Sequence, residues 1–351
     1  MADLVPYSPM TTLNITDNPD RHEWDEVISL VTTPNVNQTW EWGEAMSTIK
    51  GVRPIRLIAK QDGKPVGVLQ AFEWKIGPIS MGIGSGESGE GGGPVVPDGR
   101  IDIVVALLES LIAKRTLKTT VYTSAEFGED LSDISSAKMA TKHTPVISLL
   151  TNSEQMLNER VEQKTRNQIS KSEKNDVHVR EGSRDDLTAY RSIQGKLTKK
   201  KYLSAKHLNT LRSLEHVWDS LSGSQKIKLW LAEKDGEILG GALIFYTGNG
   251  LLYRSGVLTE EGRTLYAGNA LQWKIICDAI ERGYKCYNMC GGTVDENDPM
   301  YGITKFKLSF GGEMKSFKRY SSHGNRILRF LVYRLRALFG KNEWFPLLIY
   351  P

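Results

Sequence analysis

The chain has 351 residues, 45 Lys and Arg against 41 Asp and Glu, and 40% hydrophobic residues. That length accommodates two domains with substantial cores, and the composition is that of a globular protein rather than a disordered or collagen-like one. A formal net charge of +4 is compatible with anionic substrates but does not by itself demand nucleic acid.

In chain order, helix-like stretches at Arg21 to Val31 and Gln38 to Ile49 come first. Next comes Ala59-Lys60-Gln61-Asp62-Gly63-Lys64-Pro65-Val66-Gly67, an Asp-Gly pair between apolar runs, which predicts a β-hairpin. A Gly-rich stretch, Gly82 to Gly93, precedes an amphipathic helix at Ile101 to Lys114 and a short strand at Thr119 to Thr123. The second half repeats this order. Helices are expected at Asp185 to Leu197 and Ala205 to Leu221, a hairpin around Asp235-Gly236, a helix at Asn269 to Arg282 and a strand at Cys286 to Met289. The fold class expected is therefore α/β: two tandem domains of the GNAT acyltransferase type, each a mixed sheet flanked by helices. The domains expected are 1–150 and 151–322, followed by a basic amphipathic tail, 323–351.

Positive charge gathers in the second half. Lys164, Arg166, Lys171 and Lys174 lie in a stretch predicted as one helix from about Asn152, with an Asn152/Gln155 capping box and Met156, Leu157, Val161 and Ile169 on its buried side. Such a face is either solvated or a phosphate clamp. Tyr301 to Glu313 follows Gly291-Gly292, with Lys307 either solvated or aimed at a ligand. The glycines of Gly82 to Gly93 lack a Gly-Lys-Ser/Thr ending, and Glu87 and Glu90 would repel phosphate, so a loop facing a cleft is expected rather than a nucleotide cradle. The three cysteines, Cys277, Cys286 and Cys290, and the six histidines show no metal-ligand spacing, so no metal is expected. Without a secretory leader, a cytoplasmic location is expected. The tail 326–345 alternates apolar and basic residues too often to span a bilayer; a docked helix and a peripheral contact with the inner membrane face are both open.

The combination of Lys164-x-Arg166-x-x-Ile169-x-Lys171 with Tyr266 to Trp273, Gly283 to Gly292 and Phe306-Lys307-x-x-Phe310-Gly311 resembles the FemABX family, aminoacyl-tRNA-dependent transferases of peptidoglycan cross-bridges. Gln38-x-Trp40-x-Trp42-Gly43 and Gly92-Gly93-Pro94-Val95 fall where that family places comparable elements. The resemblance implies Lys307 as catalytic residue and Arg166, Lys164, Phe306, Asn269, Tyr266 and Trp42 as substrate-binding. It implies aminoacyl-tRNA as co-substrate, acyl-CoA being the alternative, with no resident cofactor. It also implies an anionic envelope precursor, nucleotide- or lipid-linked, as acceptor and tRNA as a partner. Members using nucleotide-linked precursors carry a lysine shortly after the N-terminal tryptophan; here Gly43, Glu44, Ala45 and Met46 stand there. The coiled-coil arm of some members is absent. Rival readings are a CoA-dependent N-acyltransferase on a sugar or peptide amine and a non-catalytic precursor-binding protein. Asp98, Asp102, Asp295, Glu296 and Asp298 are candidate bases by position only.

Overall fold

The computed structural model describes residues 13–17, 19–31, 36–49, 51–76, 79–85, 92–114, 116–123, 137–199 and 214–323. Residues 86–91 of the Gly82–Gly93 loop, part of the Ala205–Leu221 helix and the tail beyond His323 lie outside them.

The described strands form one twelve-stranded sheet in the order β1-β2-β3-β4-β5-β12-β6-β11-β10-β9-β8-β7. The first half supplies β1 (Leu13–Thr16), β2 (Val52–Gln61), β3 (Lys64–Ile76), β4 (Ile79–Ser85), β5 (Lys118–Tyr122) and β6 (Lys138–Ser148). The second supplies β7 (His178–Gly182), β8 (Ile227–Lys234), β9 (Glu237–Thr247), β10 (Gly250–Leu258), β11 (Cys286–Asn288) and β12 (Glu313–His323). Read from either end, the order is the same once each strand of one half is exchanged for its counterpart in the other. The last strand of each half crosses over: β12 lies beside β5, and β6 lies beside β11.

The repeat seen in the sequence extends to the backbone. Both Asp-Gly pairs turn with two positive φ angles, 50° and 81° at Asp62-Gly63 and 49° and 81° at Asp235-Gly236. That is the type I′ geometry whose twist matches its strands. Each hairpin also slips register once at the same place, leaving Val66 extra in one and Leu239 in the other. At the centre His143 faces Ser316. Two residues outward on either side, Thr123 N donates to Lys318 O and Met289 N to Pro145 O, both at 2.9 Å. This is the hydrogen-bond signature of a pseudo-two-fold axis through the sheet.

Helices α1 (Arg21–Ser29), α2 (Trp40–Ser47) and α3 (Ile101–Ile112) belong to the first half. In the second, α4 spans Gln163–Lys174, α5 Asp186–Lys199, α6 Leu214–Leu221, α7 Glu260–Thr264, α8 Ala267–Glu281 and α9 Tyr301–Leu308. Helix α3 buries Ile103, Leu107, Leu108 and Leu111 against Leu57, Leu69 and Val121. Helix α8 buries Leu271, Ile275 and Ile276 among Leu251, Tyr287 and Phe310. A third core joins the halves, with Trp42, Ala45 and Met46 of α2 packed among Val217, Trp218, Leu221 and Phe245.

One expectation needs correcting. The basic helix does not run from Asn152. A short turn, Ser153–Gln155, passes into a π-helical turn, Met156–Arg160, and Val161 is extended at ψ 130° before α4 begins. Asn152 Oδ1 does accept from Gln155 N at 2.8 Å, but the Gln155 amide donates onward to Glu159. Only half of the capping box forms, so the first segment stops and α4 starts afresh. Met156, Val161 and Ile169 are buried as expected.

The crossover makes each half depend on the other. Expressed alone, residues 1–150 would leave β5 without β12 and β6 without both of its neighbours, exposing unpaired edges next to apolar core. We expect that fragment to aggregate in light scattering under conditions where the full chain should stay dispersed.

Candidate active site

The two parallel strands β10 and β11 pair only from Gly250–Leu252 with Cys286–Asn288. Beyond that they diverge. A bulge on β10 places Arg254 between the paired residues Tyr253 and Ser255, and a bulge bends its strand away. Gly256 is required here, because a Cβ would stand 1.7 Å from Tyr253 Oη.

Lys307, on the last turn of α9, reaches the mouth of this divergence. Its side chain is 7% exposed. Nζ donates to the carbonyls of Cys290 and Gly291, the latter at 2.9 Å, and sits 5.8 Å from the centre of the Tyr253 ring. Both carbonyls belong to residues with positive φ, 54° at Cys290 and 45° at Gly291, so this loop turns its oxygens towards the lysine. The Asn288 side chain fixes the loop: Oδ1 accepts from Cys290 N at 2.9 Å and from Thr144 Oγ1 at 2.5 Å. No carboxylate among the described residues pairs with Lys307, and burial pulls its pKa down to about 8. The outcome is a dry ammonium with three N–H groups and two protein acceptors.

Beside it lies a buried polar group. Gln272 accepts from Tyr287 Oη at 2.8 Å, and Tyr190 Oη and Ser255 Oγ share a hydrogen bond of 2.7 Å. Burial raises the pKa of Tyr190 to about 12 and that of Tyr253 above its usual range, so both hydroxyls stay neutral donors. None of these tyrosines was singled out from sequence. Tyrosine at core spacing carries no signal that separates packing from a polar site.

The remaining residues singled out from sequence fall in three places. Phe306 packs edge-on to Phe310 at 5.3 Å, one residue from Lys307, and Gly268 lets it approach α8. Asn269, buried in the first turn of α8, donates from Nδ2 to Gln168 of α4 at 3.2 Å. Tyr266 caps α8 with a left-handed backbone, φ 59° and ψ 29°, and Lys171 Nζ lies 5.9 Å from the centre of its ring. These cluster around the α4–α8 contact.

Arg166 and Lys164 lie on α4. Arg166 closes the break before the helix: its Nη1 donates to the carbonyls of Val161 (2.5 Å), Asn158 (3.3 Å) and Leu157 (3.4 Å), and Nη2 donates to Gln163. The guanidinium is thus bound to backbone of its own neighbourhood. Lys164 is exposed. Trp42 is elsewhere: 4% exposed in the core between the halves, its indole edge-on to Phe245 at 5.4 Å. The motif around it locks α2 to the first hairpin, since Gln38 and Gln70 exchange side-chain and backbone hydrogen bonds. Glu44 forms an ion pair with Arg56 at 2.7 Å, and the Arg56 guanidinium stacks on Trp40 at 3.7 Å.

The carboxylates considered as bases are engaged in local structure. Asp102 pairs with Arg100 at 2.6 Å, Glu296 accepts from Tyr301 Oη at 2.8 Å, and Asp295 and Asp298 accept from backbone N–H groups of their own loop. Asp98 is exposed. Cys290 is buried while Cys277 and Cys286 are half-buried.

A mixed sheet with a parallel pair in each half, β4–β5 and β10–β11, is the architecture of a tandem GNAT fold. The comparisons agree. The model of the FemAB family matches residues 192–318. The chain resembles the crystal structure of FemX with a TM-score of 0.67 at 17% identity, covering 91% of this chain and 99% of that one. It also resembles L-PGS from Bacillus licheniformis (TM-score 0.52, 13% identity, 91% and 97% covered). A tandem GNAT protein from the clavulanic acid biosynthesis pathway gives a TM-score of 0.51 at 14% identity, with 90% and 99% covered. No curated protein sequence matches the chain. The FemAB model thus matches part of the second half, and FemX and the tandem GNAT protein share the fold of nearly the whole chain.

The lysine makes a measurable signature. A lysine with its folded pKa below the unfolded value binds fewer protons when folded, so stability rises with pH between the two values. Lys307→Met removes that titration together with the bonds to Cys290 and Gly291, so its stability relative to wild type should fall by about 3 kcal/mol as pH climbs from about 8 to 10.5, followed by denaturant unfolding.

Proposed function

We propose that this protein transfers an aminoacyl group from an aminoacyl-tRNA to an amine of a cell-envelope precursor, with Lys307 at the reaction centre. At the level of the family, the FemAB match and the FemX-like fold support aminoacyl transfer in peptidoglycan bridge synthesis. The observation carrying the proposal is the buried, carboxylate-free ammonium at the mouth of the β10–β11 divergence.

The acceptor amine attacks the ester carbonyl, forming a C–N bond and a tetrahedral oxyanion. The C–O bond to the ribose then breaks, and the amine's proton leaves with the ribose hydroxyl, directly or through water. Lys307 has one N–H not committed to Cys290 or Gly291, and an N–H aimed at the oxyanion from a water-poor site stabilises the transition state more than the ground state. The neutral hydroxyls of Tyr190 and Ser255 and the amide of Gln272 would hold polar atoms of the incoming group. The carboxylates of the neighbouring loop serve local hydrogen bonds, so the chemistry is assigned to positioning and oxyanion stabilisation, with no side chain as base.

Glu44, paired with Arg56, stands in the stretch where family members using nucleotide-linked precursors carry a lysine. That favours a lipid-linked acceptor, and a basic tail at 326–345 would suit a membrane surface. Among the described residues no helix is long and apolar enough to cross a membrane.

The test is a transfer assay with labelled aminoacyl-tRNA and, separately, labelled acyl-CoA, each with envelope-precursor extract. Product from aminoacyl-tRNA should fall at least 100-fold in Lys307→Ala, the loss that follows removal of one oxyanion donor. Product from acyl-CoA alone would overturn the donor assignment. Full activity of Lys307→Ala would overturn the site.

A further inference from the structure

Helix α4 sorts its charges onto two flanks. Its buried side is Thr165, Ile169 and Ser172. At 3.6 residues per turn, Lys164, Lys171 and Lys174 fall within about 80° of one another around the axis, with Asn167 among them. Glu173 stands about 100° or more from each of these lysines, on the flank that carries Arg166. A helix that only needs to stay solvated gains from interleaving the two signs at i and i+4; this one separates them.

All three lysines are exposed, and among the described residues none pairs with a carboxylate. Arg166, by contrast, is committed to the carbonyls of Leu157, Asn158 and Val161. Lys171 and Lys174 lie in the last turn, where the helix dipole favours a cation. Lys164 lies in the first turn, where the dipole opposes one. The helix alone therefore accounts for the last two lysines and not for the first.

The lysine flank borders both an aromatic ring and the helix of the reaction centre. Gln168 at its edge accepts from Asn269 Nδ2 of α8 at 3.2 Å, and Lys171 Nζ lies 5.9 Å from the centre of the half-buried Tyr266 ring. At the start of α4, Thr165 Oγ1 donates to Ser309 Oγ at 2.8 Å and Glu162 N donates to Ser309 O at 2.9 Å. Ser309 caps α9, two residues beyond Lys307. Lys164 thus stands at the end of α4 joined to α9, with Lys174 about 15 Å further along the axis. The charges form a line that starts at the helix carrying Lys307 and passes the Tyr266 ring.

A line of ammonium groups matches the successive phosphates of a strand, whereas a diphosphate concentrates its charge at one point. Aromatic rings beside such cations receive unpaired bases, which is how single strands are held without regard to sequence. We propose that Lys164, Lys171 and Lys174, with Tyr266, hold the single-stranded RNA end that carries the reactive ester. The ammonium groups neutralise phosphates and the ring stacks on a base. That this strand delivers an aminoacyl group rests on the transfer reading; that RNA binds this flank does not.

The experiment titrates the full chain with a short single-stranded RNA oligonucleotide and, separately, with inorganic pyrophosphate. The variants are Lys164→Gln, Lys171→Gln and Lys174→Gln, singly and together, with Lys64→Gln of the first hairpin as an exposed lysine elsewhere. RNA should bind wild type saturably, and each single variant on α4 should weaken it about threefold to tenfold at low salt. The slope of log affinity against log salt should fall by about 0.7 per lysine removed, and by about 2 in the triple variant. Lys64→Gln should bind as wild type does. Tyr266→Leu should weaken binding about tenfold with the slope unchanged, because stacking releases no counterions. The melting temperature of Lys164→Gln should hold or rise, since it removes a cation from the first turn.

Transfer kinetics separate this surface from the reaction. The lysine variants should raise KM for aminoacyl-tRNA with kcat held, whereas Lys307→Ala should lose kcat and bind RNA as wild type does. Transfer with unaltered RNA affinity in the triple variant would overturn the surface and leave the reaction standing. RNA binding that follows the lysines, without transfer from aminoacyl-tRNA, would overturn the reaction and leave the surface standing. No saturable RNA binding below about 1 mM at low salt would sink the proposal. So would pyrophosphate that binds as tightly as RNA and is lost in the same variants.

Discussion

The exchange of β6 and β12 is the constraint on which the other features depend. A GNAT-type half has its active divergence between two parallel strands and needs a further strand to cover the outer one. Here each half takes that strand from the other, so β5 is covered by β12 and β11 by β6. The two sheets become one, and the backbone amides at the ends of β5 and β11 are satisfied only across the exchange. Unsatisfied, those buried groups would each cost roughly 1–3 kcal/mol. The halves are therefore parts of one cooperative structure.

This continuity also fixes Lys307. The ammonium is held by the Cys290–Gly291 carbonyls, that loop is held by Asn288, and Asn288 is held by Thr144, a residue of the first half's last strand. Lys307 of one half is thus positioned through a strand belonging to the other. A cation so poorly solvated persists because its surroundings over-determine its place, the rigidity that the proposed oxyanion role would use. The cost appears as the lowered pKa, which is the thermodynamic record of the site's dryness.

Much of this was legible in the sequence, and what was not has a physical reason. The hairpins were readable because Asp-Gly encodes a turn locally, and α3 and α8 because an apolar face repeats at helical spacing. Lys307 drew attention through the resemblance carried by Phe306-Lys307 and Phe310-Gly311, but its burial could not be read there, since a lysine in a short helix is as readily solvated. The break before α4 was not readable: it depends on a π turn and on Arg166 satisfying the carbonyls of Leu157, Asn158 and Val161, which no composition signal marks. The strand exchange was invisible because pairing partners lie as far apart in sequence as His323 and Lys118, beyond any local pattern. Trp42 shows the opposite case, since a motif carried by resemblance turns out to lock α2 into the interdomain core.

The pseudo-symmetry separates what is architectural from what is functional. Features present in both halves, such as the Asp-Gly turns, the hairpin bulges and the amide bridges from Thr123 and Met289, are needed by the fold. Features present in one half alone are not explained by the fold. Lys307 stands at the divergence of β10 and β11, while Lys318, with Pro145 as its counterpart, stands beside the end of β5. The repeated sheet thus carries different charged groups at equivalent places, and the exchange of the last strands is what sets a residue of one half beside the strands of the other.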